Sequence, residues 1–221
     1  MPGPLGCRFE SPAGLGVMAD AAGYDSARPV SQGDDDMLVT VRQELQAHLL
    51  GHSLRFGDFT LTSGRKSDYY IDGKQTTLRG QGAYLVAKLL LDELRPLGAE
   101  AIGGPTLGAD PVIGAVLALA ALEQYPLTGF LVRKEAKTHG TQHLIEGPLH
   151  AGTRVAVFDD VVTTGGSLKH AIDQVEAAQC RVIKAFAIVD RQEGAGQNFA
   201  QWGYPFHALF TIDELRAARA P

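Results

Sequence analysis

Two adjacent carboxylates and the small residues after them form the stretch whose residue types most directly indicate chemistry. Asp159 and Asp160 follow the unbroken apolar run at 155–158 and precede small, mostly hydroxylated or glycine residues at 163–167. Glycines let several backbone N–H groups converge on one anion. From Leu168 the apolar residues recur at helical spacing, and a helix N-terminus also favours negative charge. The stretch therefore predicts a phosphate-binding turn beside two acids.

The acids restrict which phosphate compound would fit. Two carboxylates repel a bare anion, so the ligand must also offer hydroxyl groups or a bound cation. A ribose 5-phosphate meets this requirement, because its phosphate accepts from the turn while its 2′ and 3′ hydroxyls donate to the acids. The turn has neither the lysine of a Walker loop nor the GxGxxG of a dinucleotide fingerprint. A plainer alternative is a strand, an exposed acidic turn and a helix start without any ligand.

A second group of charged residues lies upstream of the acids. Four potential cations fall within seven residues: Arg133, Lys134, Lys137 and His139. Such a group suits a diphosphate, and nearby glycines at 140 and 147 provide hinges for a loop that closes over its substrate. The alternative is a solvated surface loop, which most charge runs are.

Alternating strands and helices position these groups. The predicted elements are a helix at 78–97, a strand at 101–104, a helix at 112–122, strands at 129–132 and 155–158, a helix from 168, strands at 182–189 and 206–210, and a final helix after the capping box Thr211-x-x-Glu214. This order predicts a parallel sheet flanked by helices, an α/β fold. Ligands of such sheets bind at the carboxyl ends of the strands, where the acids and the charged loop both lie.

The first third of the chain has a different character. Residues 1–36 are rich in small and acidic residues without apolar periodicity, which predicts disorder, and Met37 is a candidate natural start. A helix is predicted at 38–49 and a hairpin at 56–77, around the turn at 63–65. The hairpin is either a surface feature or a hood that covers a ring-shaped substrate.

Composition limits the class of protein. The 221 residues are 45% hydrophobic and 20% charged, which favours one soluble domain, with no apolar run long enough for a membrane helix. A net charge of −5 offers no general basic field for nucleic acid. Two cysteines without metal-ligand spacing, and no secretory signal, predict a cytoplasmic protein.

These motifs together resemble a known family. The stretch at 154–171 resembles the phosphoribosyl-diphosphate motif of the type I phosphoribosyltransferases. The segments RKEAK-x-HG from Arg133, FTL-x-SGRKS-x-Y from Phe59 and DRQEG from Asp190 are similar to those of orotate phosphoribosyltransferases, over about residues 37–215. The resemblance implies a type I phosphoribosyltransferase fold at 37–221, with a small hood formed mainly by 37–77 and part of the C-terminal region.

The resemblance also implies a reaction and residue roles. The reaction is displacement of diphosphate from 5-phosphoribosyl 1-diphosphate (PRPP) by N1 of orotate, with Mg²⁺ on the diphosphate, in a homodimer whose subunits share active sites. Lys134 would be the catalytic residue, and Thr163 and Arg191 would bind orotate. The residues expected to bind PRPP are Arg133, Lys134, Lys137, His139, Asp159, Asp160, Val161, Val162, Thr163, Thr164, Gly165, Gly166 and Ser167.

The chain departs from the family pattern at two places. Thr62 stands where many members have a lysine, and Leu107-Gly108 stands where many have a Tyr-Lys pair. Tyr70 is a candidate to pack on the base, or else a hood core residue. Two alternative functions stay open, namely a phosphoribosyltransferase for another nucleobase and a regulator that senses PRPP and binds nucleic acid.

Overall fold

The computed structural model describes residues 32–60, 64, 66–135 and 144–219. The described part begins with helix α1 (Gln32–His48), which continues as a π-helical turn at Leu49–Ser53. An antiparallel hairpin follows, formed by β1 (Leu54–Thr60) and β2 (Lys66–Ile71). The short helix α2 (Lys74–Thr77) then leads into α3 (Gly80–Leu97).

A six-stranded sheet forms the centre of the molecule. The strands of this sheet and the helices between and after them are, in chain order, β3 (Ala101–Pro105), α4 (Asp110–Leu122), β4 (Thr128–Val132), β5 (Ile145–Glu146), β6 (Arg154–Val162), α5 (Gly166–Ala177), β7 (Arg181–Asp190), α6 (Ala195–Trp202), β8 (Phe206–Thr211) and α7 (Ile212–Ala218). The strand order is β5-β4-β3-β6-β7-β8, and only the two-residue β5 is antiparallel to its neighbour. The predicted parallel sheet flanked by helices is confirmed.

Strand β6 is buried on both faces of the sheet, which explains the unbroken apolar run at 155–158. Val155 and Val157 pack on one side of the sheet in a cluster with α5, whereas Ala156 and Phe158 pack on the other side with α3 and α4. All four side chains are fully buried. A strand covered on both faces cannot alternate polar and apolar residues, so its sequence reads as a continuous hydrophobic segment.

The C-terminal helix joins the sheet to the hairpin. The predicted capping box is present, since Thr211 Oγ1 accepts from the Glu214 N–H at 3.2 Å and Glu214 Oε2 accepts from the Thr211 N–H at 2.7 Å. Two cations then lie over hairpin rings: Arg216 of α7 is 4.9 Å from the centre of Tyr69, and Arg219, directly after α7, is 4.2 Å from that of Phe56. These contacts hold the hairpin over one end of the sheet.

Several element boundaries differ from the sequence expectation. Helix α1 begins at Gln32, so residues 32–36, for which disorder was predicted, are helical although they lack the apolar periodicity by which helices are recognised. The remainder of that prediction, at 1–31, lies outside the described residues. Helix α6 and the short α2 were not predicted, because eight and four residues are too few for a periodic signal. No helix in the described ranges combines the length and apolar character needed to cross a membrane.

Candidate functional site

The two acids lie in the last part of strand β6, which stays paired with β7 up to Val162 and does not end at Phe158 as the sequence predicted. The backbone N–H of Asp160 donates to Asp159 Oδ1 at 3.0 Å, and that of Val161 donates to Asp160 Oδ1 at 2.9 Å. Asp160 is only 8% exposed. The carboxylates are therefore held against their own strand, at the carboxyl edge of the sheet.

Burial makes this pair of acids difficult to ionise. Loss of solvation, followed by the negative charge of Asp160, raises the pKa of Asp159 to about 8, and the Lys134 ammonium opposes this. Burial also raises the pKa of Asp160, against the opposing charge of Lys74. Burial therefore favours the protonated form of these acids in the ligand-free site, and a ligand that donates hydroxyl groups would satisfy the oxygens of the ionised form.

The phosphate turn lies directly after the acids and is supported by α6. Gly165 has φ 87°, and a Cβ there would come within 2.7 Å of the Phe199 ring, so only glycine fits. The Asn198 side-chain amide donates to the carbonyl oxygen of Thr164 at 2.9 Å. Helix α5 begins at Gly166, which places its N-terminal N–H groups at the turn. Sequence analysis missed the supporting helix, whereas the predicted turn before α5 is present; that it binds phosphate stays a prediction.

A second loop approaches the acids from β3. A Cβ built on Gly108 would lie 2.5 Å from Asp160 Oδ1 and 2.6 Å from Asp159 Oδ1. The loop backbone thus closes one side of the acid pair, and the glycine allows this close approach. The Thr106–Leu107 peptide in the same loop is cis.

The hairpin and the end of β7 enclose a cavity of about 800 Å³. It is lined by Asp58, Phe59, Lys66, Ser67, Asp68, Tyr69, Arg191 and Glu193. Arg191 Nε donates to the Tyr69 hydroxyl at 3.0 Å, and its guanidinium lies 4.9 Å from the centre of the Tyr69 ring. A second guanidinium nitrogen is 2.9 Å from Glu193 Oε1. The cavity therefore combines a flat aromatic surface with a cation suited to a planar, anionic ring.

The cavity adjoins the phosphate turn because two neighbouring strands end together. The backbone N–H of Arg191 donates to the carbonyl oxygen of Val162 at 2.9 Å, next to Thr163. The structure thus brings Thr163 and Arg191 to one place, although 28 positions separate them in sequence. Tyr69, at 6% exposure, faces this cavity, whereas Tyr70 is 46% exposed with its ring 5.7 Å from that of Phe59.

The beginning of the charged loop also lies at this edge. Lys134 lines a cavity of about 300 Å³ together with Pro105, Val132, Gly166, Ser167 and His170. Arg133 is 3.8 Å from Glu146 Oε1, and its backbone N–H donates to the Leu144 carbonyl oxygen at 2.8 Å. Lys137 and His139 fall outside the described residues. Of the predicted cations, the structure therefore places Lys134 beside the phosphate turn and Arg133 at the base of the loop.

Known proteins share this architecture and sequence. Residues 82–202 match the family model of the phosphoribosyl transferase domain. An orotate phosphoribosyltransferase of Synechocystis sp. is 46% identical over 180 residues, covering 81% of this chain and 90% of the relative. One of Thermosynechococcus vestitus is 48% identical over 184 residues, covering 83% of this chain and 97% of the relative. The chain belongs to the orotate phosphoribosyltransferase family.

A solved structure of the family supports the fold assignment. The orotate phosphoribosyltransferase of Mycobacterium tuberculosis, in complex with PRPP, superposes with a TM-score of 0.68 at 31% identity. The match covers 80% of this chain and 99% of that one. The type I phosphoribosyltransferase fold predicted from the sequence is therefore confirmed. Tyr69 and Lys74, which sequence analysis did not select, lie in the hood and beside the acid pair of this family member.

Proposed function

We propose that the chain transfers ribose 5-phosphate from PRPP to N1 of orotate, giving orotidine 5′-phosphate and diphosphate in de novo pyrimidine biosynthesis. One observation carries the proposal: the acid pair, the phosphate turn and the Arg191 cavity meet at one edge of the sheet. This arrangement provides adjoining sites for a phosphorylated ribose and for an anionic ring.

In this proposal, the PRPP ribose lies against the acids. The 5-phosphate accepts hydrogen bonds from the turn at 163–167, at the start of α5. Asp159 and Asp160 accept from the ribose hydroxyls, which offsets the cost of keeping two buried carboxylates adjacent. Val161 and Val162 supply backbone between the acids and the turn.

Orotate would occupy the cavity under the hairpin. Arg191 presents a guanidinium to the orotate carboxylate, and the ring of Tyr69 orients that guanidinium. Thr163, beside Arg191, would contact the pyrimidine. A purine carries no carboxylate, so this cation favours orotate over purine bases.

The charged loop would stabilise the departing diphosphate. A sugar centre that loses diphosphate gains oxocarbenium character while negative charge grows on the leaving group, so cations belong at the diphosphate. Lys134 is proposed to supply that charge directly, with Arg133, Lys137 and His139 binding the same group. The cavity that Lys134 shares with Gly166 and Ser167 supports this placement.

Mg²⁺ is the proposed metal, carried mainly by the diphosphate. The described residues contain no group of three or more potential ligands from His, Cys, Asp and Glu. Mg²⁺ usually keeps several waters and binds one or two carboxylates plus substrate phosphates, so the Asp159–Asp160 pair suits it. When bound, the ion would neutralise charge on the leaving group.

The proposal extends to assembly and location. A homodimer whose subunits share active sites is proposed from the resemblance, and the exposed position of Lys134 is compatible with it. A cytoplasmic location fits Cys180, a free and buried thiol.

The decisive experiment follows the loss of orotate absorbance after PRPP and Mg²⁺ are added. Lys134→Ala is expected to lower kcat by about 100-fold or more, the effect of removing one preorganised charge-stabilising group. Lys184→Ala is the matched control, since Lys184 pairs with Glu93 near the amino end of β7, away from the acids. Adenine, hypoxanthine and uracil are tested as competing bases.

Each outcome separates one alternative from the proposal. If another base reacts and orotate does not, the ribose phosphate site stands and the base assignment to Thr163 and Arg191 is wrong. If no base reacts, a gel-shift assay with PRPP and Mg²⁺ tests the regulator alternative. An unchanged kcat in Lys134→Ala would remove Lys134 from the catalytic role.

A further inference from the structure

Lys74 brings a cation to the acid pair from an unexpected element. It is the first residue of α2, immediately after the hairpin. Its ammonium lies 2.7 Å from Asp72 Oδ1 and 3.9 Å from Asp160 Oδ2. The side chain is 42% exposed, so the ammonium is in contact with the buried carboxylate and still open to a ligand.

The backbone fixes this position. A Cβ built on Gly73 would lie 2.6 Å from Asp160 Oδ2, so the chain before α2 packs directly on that carboxylate. The Lys74 N–H donates to Asp72 Oδ1 at 3.2 Å, and Thr76 Oγ1 lies 2.7 Å from Ser53 Oγ in a buried hydrogen bond. The lysine therefore extends from a short segment that is anchored at both ends.

The β3 loop closes the opposite side of the same carboxylate. Gly108 approaches Asp160 Oδ1 from the β3 loop, while Lys74 approaches Asp160 Oδ2. No larger side chain could enter at Gly108 without displacing both acids, because even a methyl group would contact their oxygens. In the described part of the chain, Lys74 is therefore the cation that lies next to Asp160.

We propose that Lys74 is a further substrate-binding residue, which contacts the diphosphate and ribose end of PRPP. The inference rests on the proposed function. When the ribose hydroxyls take up the Asp160 oxygens, the ammonium keeps Asp72 as one partner and turns its remaining N–H groups to diphosphate oxygens.

Calorimetric titration of PRPP with Mg²⁺ into the protein without orotate tests the inference. Lys74→Met is expected to weaken PRPP binding by about 10- to 100-fold, the range for losing a hydrogen bond to a charged group. Lys74→Arg is expected to restore most of the affinity, and Lys184→Met, which removes an ammonium paired with Glu93, is expected to leave it unchanged. The KM for PRPP should rise in Lys74→Met while that for orotate changes little.

A purely structural role for Lys74 predicts a different pattern. Asp72→Asn breaks the Lys74–Asp72 pair but leaves the ammonium near Asp160. If Lys74 only anchors α2, Asp72→Asn and Lys74→Met should weaken binding alike and lower the melting temperature together. If Lys74 contacts PRPP, Asp72→Asn should bind PRPP within about threefold of the wild type, well below the loss of a charged hydrogen bond.

The result separates this inference from the function on which it rests. Wild-type protein that binds PRPP, together with Lys74→Met that binds it equally well, would overturn the inference and leave the function intact. Wild-type protein that fails to bind PRPP would overturn both. The fluorescence of Trp202, the one tryptophan of the chain, gives an independent signal, because its ring borders Gly165 in the phosphate turn.

Discussion

Replacing Asp159 with asparagine should stabilise the ligand-free protein at alkaline pH. The folded-state pKa of Asp159 is raised from 3.8 to about 8, chiefly by burial and then by Asp160. Because the folded chain holds a proton that the unfolded chain has released, stability falls as pH rises between these two values. An asparagine amide resembles the protonated acid, since its Oδ1 can still accept from the Asp160 N–H, yet it carries no charge to desolvate.

The magnitude follows from proton linkage. One pKa unit corresponds to about 1.4 kcal/mol, so the effect from pH 6 to 8 has an upper limit of about 2.8 kcal/mol. Partial solvent access to Asp159 reduces this, and we expect a stability difference between variant and wild type that grows by about 1 kcal/mol over that interval. For a chain of this length, 1 kcal/mol corresponds to about 2–4 °C in melting temperature.

The assay is thermal unfolding at pH 6, 7 and 8 at constant ionic strength, without PRPP or Mg²⁺. Subtracting the wild-type melting temperature at each pH cancels the titration of all other groups. Asp173→Asn, which removes a half-exposed carboxylate from α5, controls for the change in net charge. A difference that stays constant with pH, or an Asp159→Asn protein less stable than wild type at pH 8, would refute the reasoning. The same variant should bind PRPP more weakly, since it loses a carboxylate that is proposed to accept from the ribose.

Two further predictions concern the loop from β3 and the hood. Gly108→Ala places a methyl group 2.5 Å from a carboxylate oxygen, so the loop or acids must shift and kcat/KM for PRPP should fall roughly 10- to 100-fold. Gly114→Ala is the control, because a methyl group at this position of α4 meets no other atom. Equal steady-state kinetics in both variants would contradict the close approach of Gly108 to the acids. Tyr69→Phe removes the hydroxyl that accepts from Arg191 and should raise the KM for orotate roughly tenfold. Tyr70→Phe should leave the KM for orotate unchanged. If Tyr70→Phe raised this KM and Tyr69→Phe did not, Tyr70 and not Tyr69 would be the tyrosine at the orotate site.

Sequence reasoning succeeded where one element carried the whole signal. The apolar run of β6, the two acids and the small-residue turn are contiguous, so their order alone predicted a strand, a turn and a helix start, which the structure contains. The capping box of α7 was also readable, because Thr211 and Glu214 satisfy each other's backbone groups within one turn. In both cases the deciding contacts are local in sequence.

The residues that were missed depend on pairing and packing between distant segments. Which of two adjacent tyrosines faces the cavity is fixed by the register of the hairpin, where a shift of one residue exchanges the faces. Lys74 lies on a four-residue helix without periodicity, and its distance to Asp160 depends on how α2 packs against β6. No spacing rule connects residues that are 86 positions apart.

The electrostatics of the acid pair explain why cations reach it from separate elements. Two adjacent, buried carboxylates are costly in the free protein, yet a single permanent ion pair strong enough to neutralise them would compete with the ribose hydroxyls. The Lys74 ammonium instead lies closer to Asp72 than to Asp160, so it compensates Asp160 only in part. The exposed Lys134 opposes the rise in the pKa of Asp159. The acids therefore stay only partly compensated, and ligand binding can complete their hydrogen bonds. The incomplete compensation lowers the stability of the ligand-free protein, as expected for a site that must bind a polar, charged substrate.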